Sequence, residues 1–312
     1  MFAIRLSFHY DRCTMKKCLL VINGFSRNPN NQYKIKRLTE ELNKRGVVAE
    51  TKDAIELLPY SDGNETYLDL GEYSFAIDLD KDMYLARILS QKLPLFNSYE
   101  SMMLSDDKMM SILHLRKSGI MAPLTIPAPL CYASKPDLDD VSRFLDKVEN
   151  ALSYPLVFKE CHGSLGRQVL LIHDRKELEE IERKYSATQH LYEQFLSRHQ
   201  GHDYRIIVID GKVIACMERV NKDDFRSNIA LGGKGYDVTS TLDDSFKEVA
   251  LKSTKALGLL YAGIDVGISD DDKPMFIEAN GNAFFTEIEE VTHINIAAIL
   301  VDAILNKIKM KN

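Results

Sequence analysis

Two apolar runs, residues 204–209 and 212–219, are separated by only Asp210 and Gly211. Asp-Gly supplies the two positive-φ positions of the tight turn whose twist matches paired strands, so these runs predict an antiparallel hairpin. A second pair, 263–268 and 274–279, flanks an acidic loop containing Asp270, Asp271 and Asp272. A third, 155–160 and 169–173, flanks the turn Gly163-Ser164-Leu165-Gly166. Helical spacing predicts helices at 106–118 (closed by Gly119), 137–151, 175–185, 244–257 and 294–309, and 189–195 reads as a further strand. Pro123, Pro127 and Pro129 mark an extended stretch between the first two helices. Beyond about residue 100 the chain therefore reads as antiparallel strands interleaved with helices.

Before that point strand and helix alternate. Residues 18–23, 47–51, 73–79 and 93–97 read as strands, and 31–45 and 83–91 as helices, a pattern that predicts a small α/β domain with a parallel sheet. At 312 residues the chain is long enough for about two domains. We expect units at 15–100, 101–195 and 196–312, with 1–14 an extension of no assigned function. The balance of 40 Lys+Arg against 46 Asp+Glu, net −6, lacks the basic field that duplex nucleic acid requires, so no nucleic-acid partner is expected. Lys307, Lys309 and Lys311 suit the C-terminus of the last helix. No apolar run approaches the roughly 18 residues of a membrane span. The five cysteines, Cys13, Cys18, Cys131, Cys161 and Cys216, are scattered and odd in number, which fits reduced thiols in a cytoplasm.

Four constellations could carry chemistry. Lys159 ends a strand that runs into the glycine turn and a returning strand, so backbone N–H groups and an ammonium could line a phosphate chain; by itself this is equally an ordinary hairpin with a surface lysine. Glu278 and Asn280 lie two apart on one strand and share a face. Pairing Asp265 with Glu278 completes three oxygen donors, a hard-cation set suited to magnesium, and leaves 269–274 as a loop with Pro274 outside the ladder. The bland alternative, a solvated polar face, sits poorly with apolar Ile264, Phe276 and Ile277, since carboxylates in such a strand pair need a metal or partner. Arg219, with Asp224–Asn228 and Gly232-Gly233, could clamp a phosphoryl group or carboxylate, or form a plain flexible loop. Glu193-Gln194-Phe195-Leu196 leading to Asp203 is a weaker candidate cradle for adenine and ribose. His199 and His202 lack a third ligand in reach and read as a solvated turn; Met102, Met103, Met109 and Met110 read as helix packing.

In order and spacing, these residues resemble the ATP-grasp superfamily and, within it, the RimK-type amino-acid ligases. The match is carried by the stretches YPLVFKECHGSLGRQVLLI, DYRIIVIDGKVIACMERV, DFRSNIALGG, AGIDVGI and MFIEAN, from about residue 100 onward. The resemblance implies an ATP-grasp fold, two α+β subdomains gripping ATP behind a small parallel-sheet α/β domain. It implies that Lys108 and Lys159 bind the α- and β-phosphates, with the turn at Gly163 and Ser164 beside them. Gln194 and Leu196 would meet the adenine edge next to Phe195, and Asp203 the ribose. Arg226, Ser227 and Asn228 match the nucleotide-binding stretch. Asp265, Glu278 and Asn280 match the metal ligands, Glu278 bridging two magnesium ions, with manganese as substitute. Arg219 matches an arginine near the transferring phosphoryl group. The sequence departs from the family at Gln168, in place of a third glycine, at Gln194, in place of an acid, and at Asn280-Gly281-Asn282-Ala283-Phe284, in place of Asn-x-Ser-Pro-Gly.

The activity so implied is amide formation from a carboxylate and an amine by way of an acyl phosphate, with release of ADP. It would add an α-amino acid, glutamate by family default, to a peptide or small-molecule acceptor. A homo-oligomer is expected by the same analogy. The alternatives are the same chemistry on another biosynthetic carboxylate and a nucleotide-binding regulatory module without turnover.

Overall fold

A computed structural model describes residues 16–25, 28–133, 135–163 and 165–309; residues 1–14, Ser164 and Lys311 lie outside them. Strand β1 (Lys17–Ile22) is the centre of a parallel sheet with β2 (Val48–Asp53), β5 (Phe75–Asp78) and β6 (Leu95–Phe96), ordered β2-β1-β5-β6. Its helices are α1 (Pro29–Lys44), the single turn α2 (Ala54–Leu57) and α3 (Met83–Lys92), and β3 (Tyr60–Ser61) with β4 (Thr66–Tyr67) forms a small ribbon. Asn28 accepts from Asn30 N and Pro29 opens α1, whose Leu38 and Leu42 are fully buried.

The predicted helix 106–118 is found as α5 (Lys108–Leu115), prolonged by a 3-10 turn over Arg116–Ser118 and closed by Gly119; a further helix that the sequence does not announce, α4 (Tyr99–Asp106), precedes it. Asp107 is extended and accepts from Met110 N at 3.0 Å, capping a new helix that begins at Lys108. This break carries Lys108 to the glycine turn. Met102 is buried as helix packing requires, whereas Met103 and Met110 are exposed.

A second sheet, ordered β7-β10-β8-β9, contains β7 (Thr125–Pro127), β8 (Leu156–Glu160), β9 (Val169–Ile172) and β10 (His190–Gln194), backed by α6 (Leu138–Ala151) and α7 (Arg175–Tyr185). The third is antiparallel, β13-β12-β11-β14-β15, built from β11 (His202–Ile209), β12 (Lys212–Val220), β13 (Lys234–Asp237), β14 (Tyr261–Ile268) and β15 (Pro274–Asn280). Helix α8 (Asp244–Leu257) covers one face; α9 (Thr286–Thr292) and α10 (Ile296–Lys309) lie towards the other. Asp265 pairs with Glu278 as the sequence predicts, but a bulge skips Ile277 and draws Pro274 opposite Ile268. Proline is tolerated there because it begins an outer strand.

The first and third sheets share one core. Cys18, Leu20, Leu38 and Leu42 pack in the same cluster as Ile207, Ile209, Phe285 and Val301. Ion pairs lace its edge: Arg45 meets Asp302 at 2.6 Å and Glu41 at 2.6 Å, and Arg37 meets Glu289 at 3.2 Å. The N-terminal sheet is thus fixed to the one that bears Glu278.

Candidate active site

The second and third sheets face each other across a cleft. On the first wall, Lys159 is buried with its Nζ 2.5 Å from Glu193 Oε1. Lys108 donates to Gly163 O at 3.3 Å and lies 3.5 Å from Glu278 Oε1 on the opposite wall. Gly166 adopts φ +69°, and a Cβ there would lie 2.8 Å from Asn228 Oδ1. Arg226 bridges the walls, donating to Gly166 O at 2.7 Å while its Nε and Nη2 hold Asp224. A Cβ at Gly233 would fall 2.2 Å from Ser227 O, so this glycine lets the 225–228 loop fold back on itself.

On the other wall, strand register produces a row of charged residues. Asp203 lies opposite Arg219, Arg205 opposite Asp265, and Asp265 opposite Glu278. Arg219 holds both oxygens of Asp203, with Nε 2.6 Å from Oδ1, and its Nη2 is 2.9 Å from Asp265 Oδ2. Arg205 grips Asp265 from the far side through Nε and Nη2, the latter at 2.8 Å. Burial opposes the charge on Arg219, but Asp203 and Asp265 outweigh it and raise its proton affinity. Burial likewise disfavours ionised Asp265, yet the two guanidinium groups hold its carboxyl below the ordinary range. The partners that the sequence demanded for a buried carboxylate here include two arginines. Glu278 and Asn280 are left facing the open space.

Of the residues singled out in the sequence, the cleft is lined by Lys108, Lys159, Gly163, Gln194, Phe195 and Leu196 from one side. Asp203, Arg219, Arg226, Ser227, Asn228, Asp265 and Glu278 complete it. Asn280 lines a second cavity that adjoins the first through Arg219, Asn228 and Glu278. Ser164 lies outside the described residues. Asp203 reaches the cleft, but both of its oxygens are engaged by Arg219. No group of three or more His, Cys, Asp or Glu suited to a metal occurs among the described residues, and both oxygens of Asp265 are engaged by Arg205 and Arg219.

His199 corrects the solvated-turn reading. It lines the cleft against Gly267, its Nδ1 is buried without a partner, and burial lowers its pKa. His202 instead meets Glu218 at 2.6 Å. Two further residues escaped sequence reasoning. Arg205 could have been found, because it lies two residues from Asp203 and shares its face. Lys34, on α1, could not. It is buried, donates to Asn282 Oδ1 at 2.7 Å and Ala283 O at 2.9 Å, and is pushed by burial down to about 7.

A lysine-bearing sheet with a glycine turn, closed against a second sheet that carries two carboxylates and an amide, defines the ATP-grasp class of nucleotide-using proteins. The chain belongs to its RimK-like family: the RimK-like ATP-grasp domain matches residues 105–304. A probable alpha-L-glutamate ligase of Shewanella pealeana is 30% identical over 218 residues, 69% of this chain and 45% of that protein. N-acetylaspartylglutamate synthase A of Mus musculus is 32% identical over 166 residues, 53% of this chain and 43% of the relative. The chain thus spans less than half the length of both. D-alanine–D-alanine ligase of Bacillus anthracis, solved with ATP, superposes with a TM-score of 0.67 at 18% identity, covering 95% of this chain and 100% of that one, a likeness of fold. No helix among the described residues is long and apolar enough to cross a membrane.

Proposed function

We propose that this chain is an ATP- and magnesium-dependent ligase that joins a carboxylate to an amine, with an α-amino acid as one substrate. The observation that carries the reading is the approach of Lys108 to both Gly163 O and Glu278 Oε1, which brings phosphate-binding and oxygen-donor groups to one cleft. A carboxylate is a poor acyl donor because oxide would have to leave. Its attack on the γ-phosphoryl group of ATP forms an acyl phosphate and ADP, and an amine then attacks the acyl carbon and expels phosphate. Lys108 and Lys159 hold the α- and β-phosphates, and Arg226, Ser227 and Asn228 close over them. Gln194, Phe195 and Leu196 receive adenine, and Asp203 lies on the ribose side. Asp265, Glu278 and Asn280 would hold magnesium, two ions or manganese in their place, whose charge would offset that on the transferring phosphoryl oxygens. Arg219, fixed by two carboxylates, steadies the phosphoryl and tetrahedral oxygens.

The cleft encloses about 90 Å³, short of the roughly 300 Å³ of a small-molecule site. Entry of ATP therefore requires Gly166 and Arg226 to part. The same reading takes the chain as three units meeting near residues 100 and 195. The four described cysteines are free, in keeping with a reducing cytoplasm.

The test is ADP release over a grid of carboxylates and amines, glutamate first because it stands in a relative's name, with mass detection of the amide. Nucleotide-dependent amide product is the expected result. ATP binding without ADP release from any pair would favour a regulatory nucleotide-binding module instead.

A further inference from the structure

The cavity beyond Glu278 encloses about 360 Å³ and has walls of opposite character. On the side of the third sheet stand Arg205 and Arg219. Each directs Nε and Nη2 at carboxylates of the charge row, and Nη1 of each has no hydrogen-bond partner among the described residues. These guanidinium groups are already charged and immobilised, so a substrate carboxylate meets preorganised donors.

The wall from the N-terminal domain carries asparagine amides, Lys81 and one carboxylate, Asp80. Asp80 is 8% exposed. It accepts from Asn23 Nδ2 at 3.0 and 3.2 Å and from Lys81 N at 2.8 Å. Lys81 turns its ammonium away to Asp106 at 2.5 Å, and no Lys, Arg or His among the described residues forms an ion pair with Asp80. A carboxylate so far from water is costly without a cation. In the same cavity, Asn31 Oδ1 is buried with no donor among the described residues. An unpaired carboxylate and an unfilled amide oxygen both call for N–H groups.

We propose that the acid activated by this enzyme carries a protonated amino group, and that Asp80, with Asn31, receives that ammonium while the reacting carboxylate lies towards Arg205 and Arg219. The inference rests on the ligase reading and adds the charge of the acyl donor to it. An amine held on a carboxylate is protonated and has no lone pair to attack with. The group at Asp80 is therefore not the nucleophile; it belongs to the molecule being activated. Donors with a free amino group, unblocked amino acids or peptides, are selected over N-acylated and amine-free acids.

The test uses the full chain with ATP, magnesium and hydroxylamine, which displaces phosphate from an acyl phosphate to leave a hydroxamate. Free amino acids and short peptides are each compared with their N-acetyl and deamino counterparts. The best free donor should exceed its blocked form by at least about tenfold in kcat/KM, the scale of one charged hydrogen bond. Asp80→Asn keeps the shape of the wall and should erase that ratio without changing the KM for ATP; Asn31→Ala should reduce it. Equal use of blocked acids, or an Asp80→Asn variant that keeps the preference, overturns the inference and leaves the ligase reading standing. Absence of ADP release from every acid overturns both.

Discussion

The two spaces that meet at Glu278 are assembled in different ways. The nucleotide cleft is built by strand register: Asp203 with Arg219, Arg205 with Asp265 and Asp265 with Glu278 are cross-strand pairs, and the glycine turn follows Lys159 along one hairpin. The second cavity joins Asn23, Asn31 and Asp80 to Asn280 and Asn282, chain segments about two hundred or more residues apart, through a core common to two sheets. Chemistry shared by a family sits on the locally encoded side. The residues that would select a substrate sit where two distant segments dock.

Changes on each side should therefore separate into nucleotide and substrate effects. The largest is expected where the spaces meet. Glu278→Ala should lower ADP formation by about a thousandfold or more, the order seen when a transition-state charge loses its partner, with thermal unfolding nearly unchanged because Glu278 is partly exposed. Unimpaired turnover would remove Glu278 from the mechanism.

Acid should weaken the helix that joins the first sheet to the third. Lys44 and Arg45 hold the Glu41 carboxyl down to about 2. A depressed carboxylate stabilises the fold above its unfolded pKa, and that contribution drains away as pH falls through the window from about 4.5 to about 2. It amounts to at most about 3 kcal/mol. Acid titration of stability should flatten in this window for Glu41→Gln; an unaltered profile would show that the pairs of Glu41 with Lys44 and Arg45 at the end of α1 do not contribute to stability.

Lys159→Ala should weaken ATP binding about thirtyfold, for a charged hydrogen-bonding group lost from the cleft, whereas Lys184→Ala on α7 should leave it unchanged. Equal effects would break the assignment of the phosphate side. Lys34→Met should have the smallest effect. It retains the stem but removes the donor to Asn282 Oδ1 and one of the two donors to Ala283 O, which Tyr261 Oη still serves, costing about 1–3 kcal/mol of local stability. The KM of the acid should rise while calorimetric ATP affinity holds. A loss of ATP affinity would mean that the two spaces are not separable.

The sequence's legibility follows the same division. The hairpin at Asp210-Gly211 and the opposition of Asp265 and Glu278 could be read because turn chemistry and pairing fix each other over a few residues. The bulge at Ile277 could not, since either register preserves the apolar pattern on most of the strand. Asp107 stands at the start of the predicted helix, but the helix before it, α4, is not legible, and the capping at the junction is what delivers Lys108 to Gly163. The charge row needs four strands at once, so Arg219 is legible as a cation but its grip on Asp203 is not. Lys34 and Asp80 offered no local pattern: each acquires meaning only when a helix or strand end of the first sheet meets its distant neighbour.

Diffraction from crystals grown with a non-hydrolysable ATP analogue and manganese would test the arrangement most directly, since the ion is located by its own anomalous signal. The account predicts manganese beside Glu278 and Asn280, with the triphosphate between it and Lys159. Nucleotide bound away from Lys159, or manganese remote from Glu278 while the cleft stays open, would contradict it.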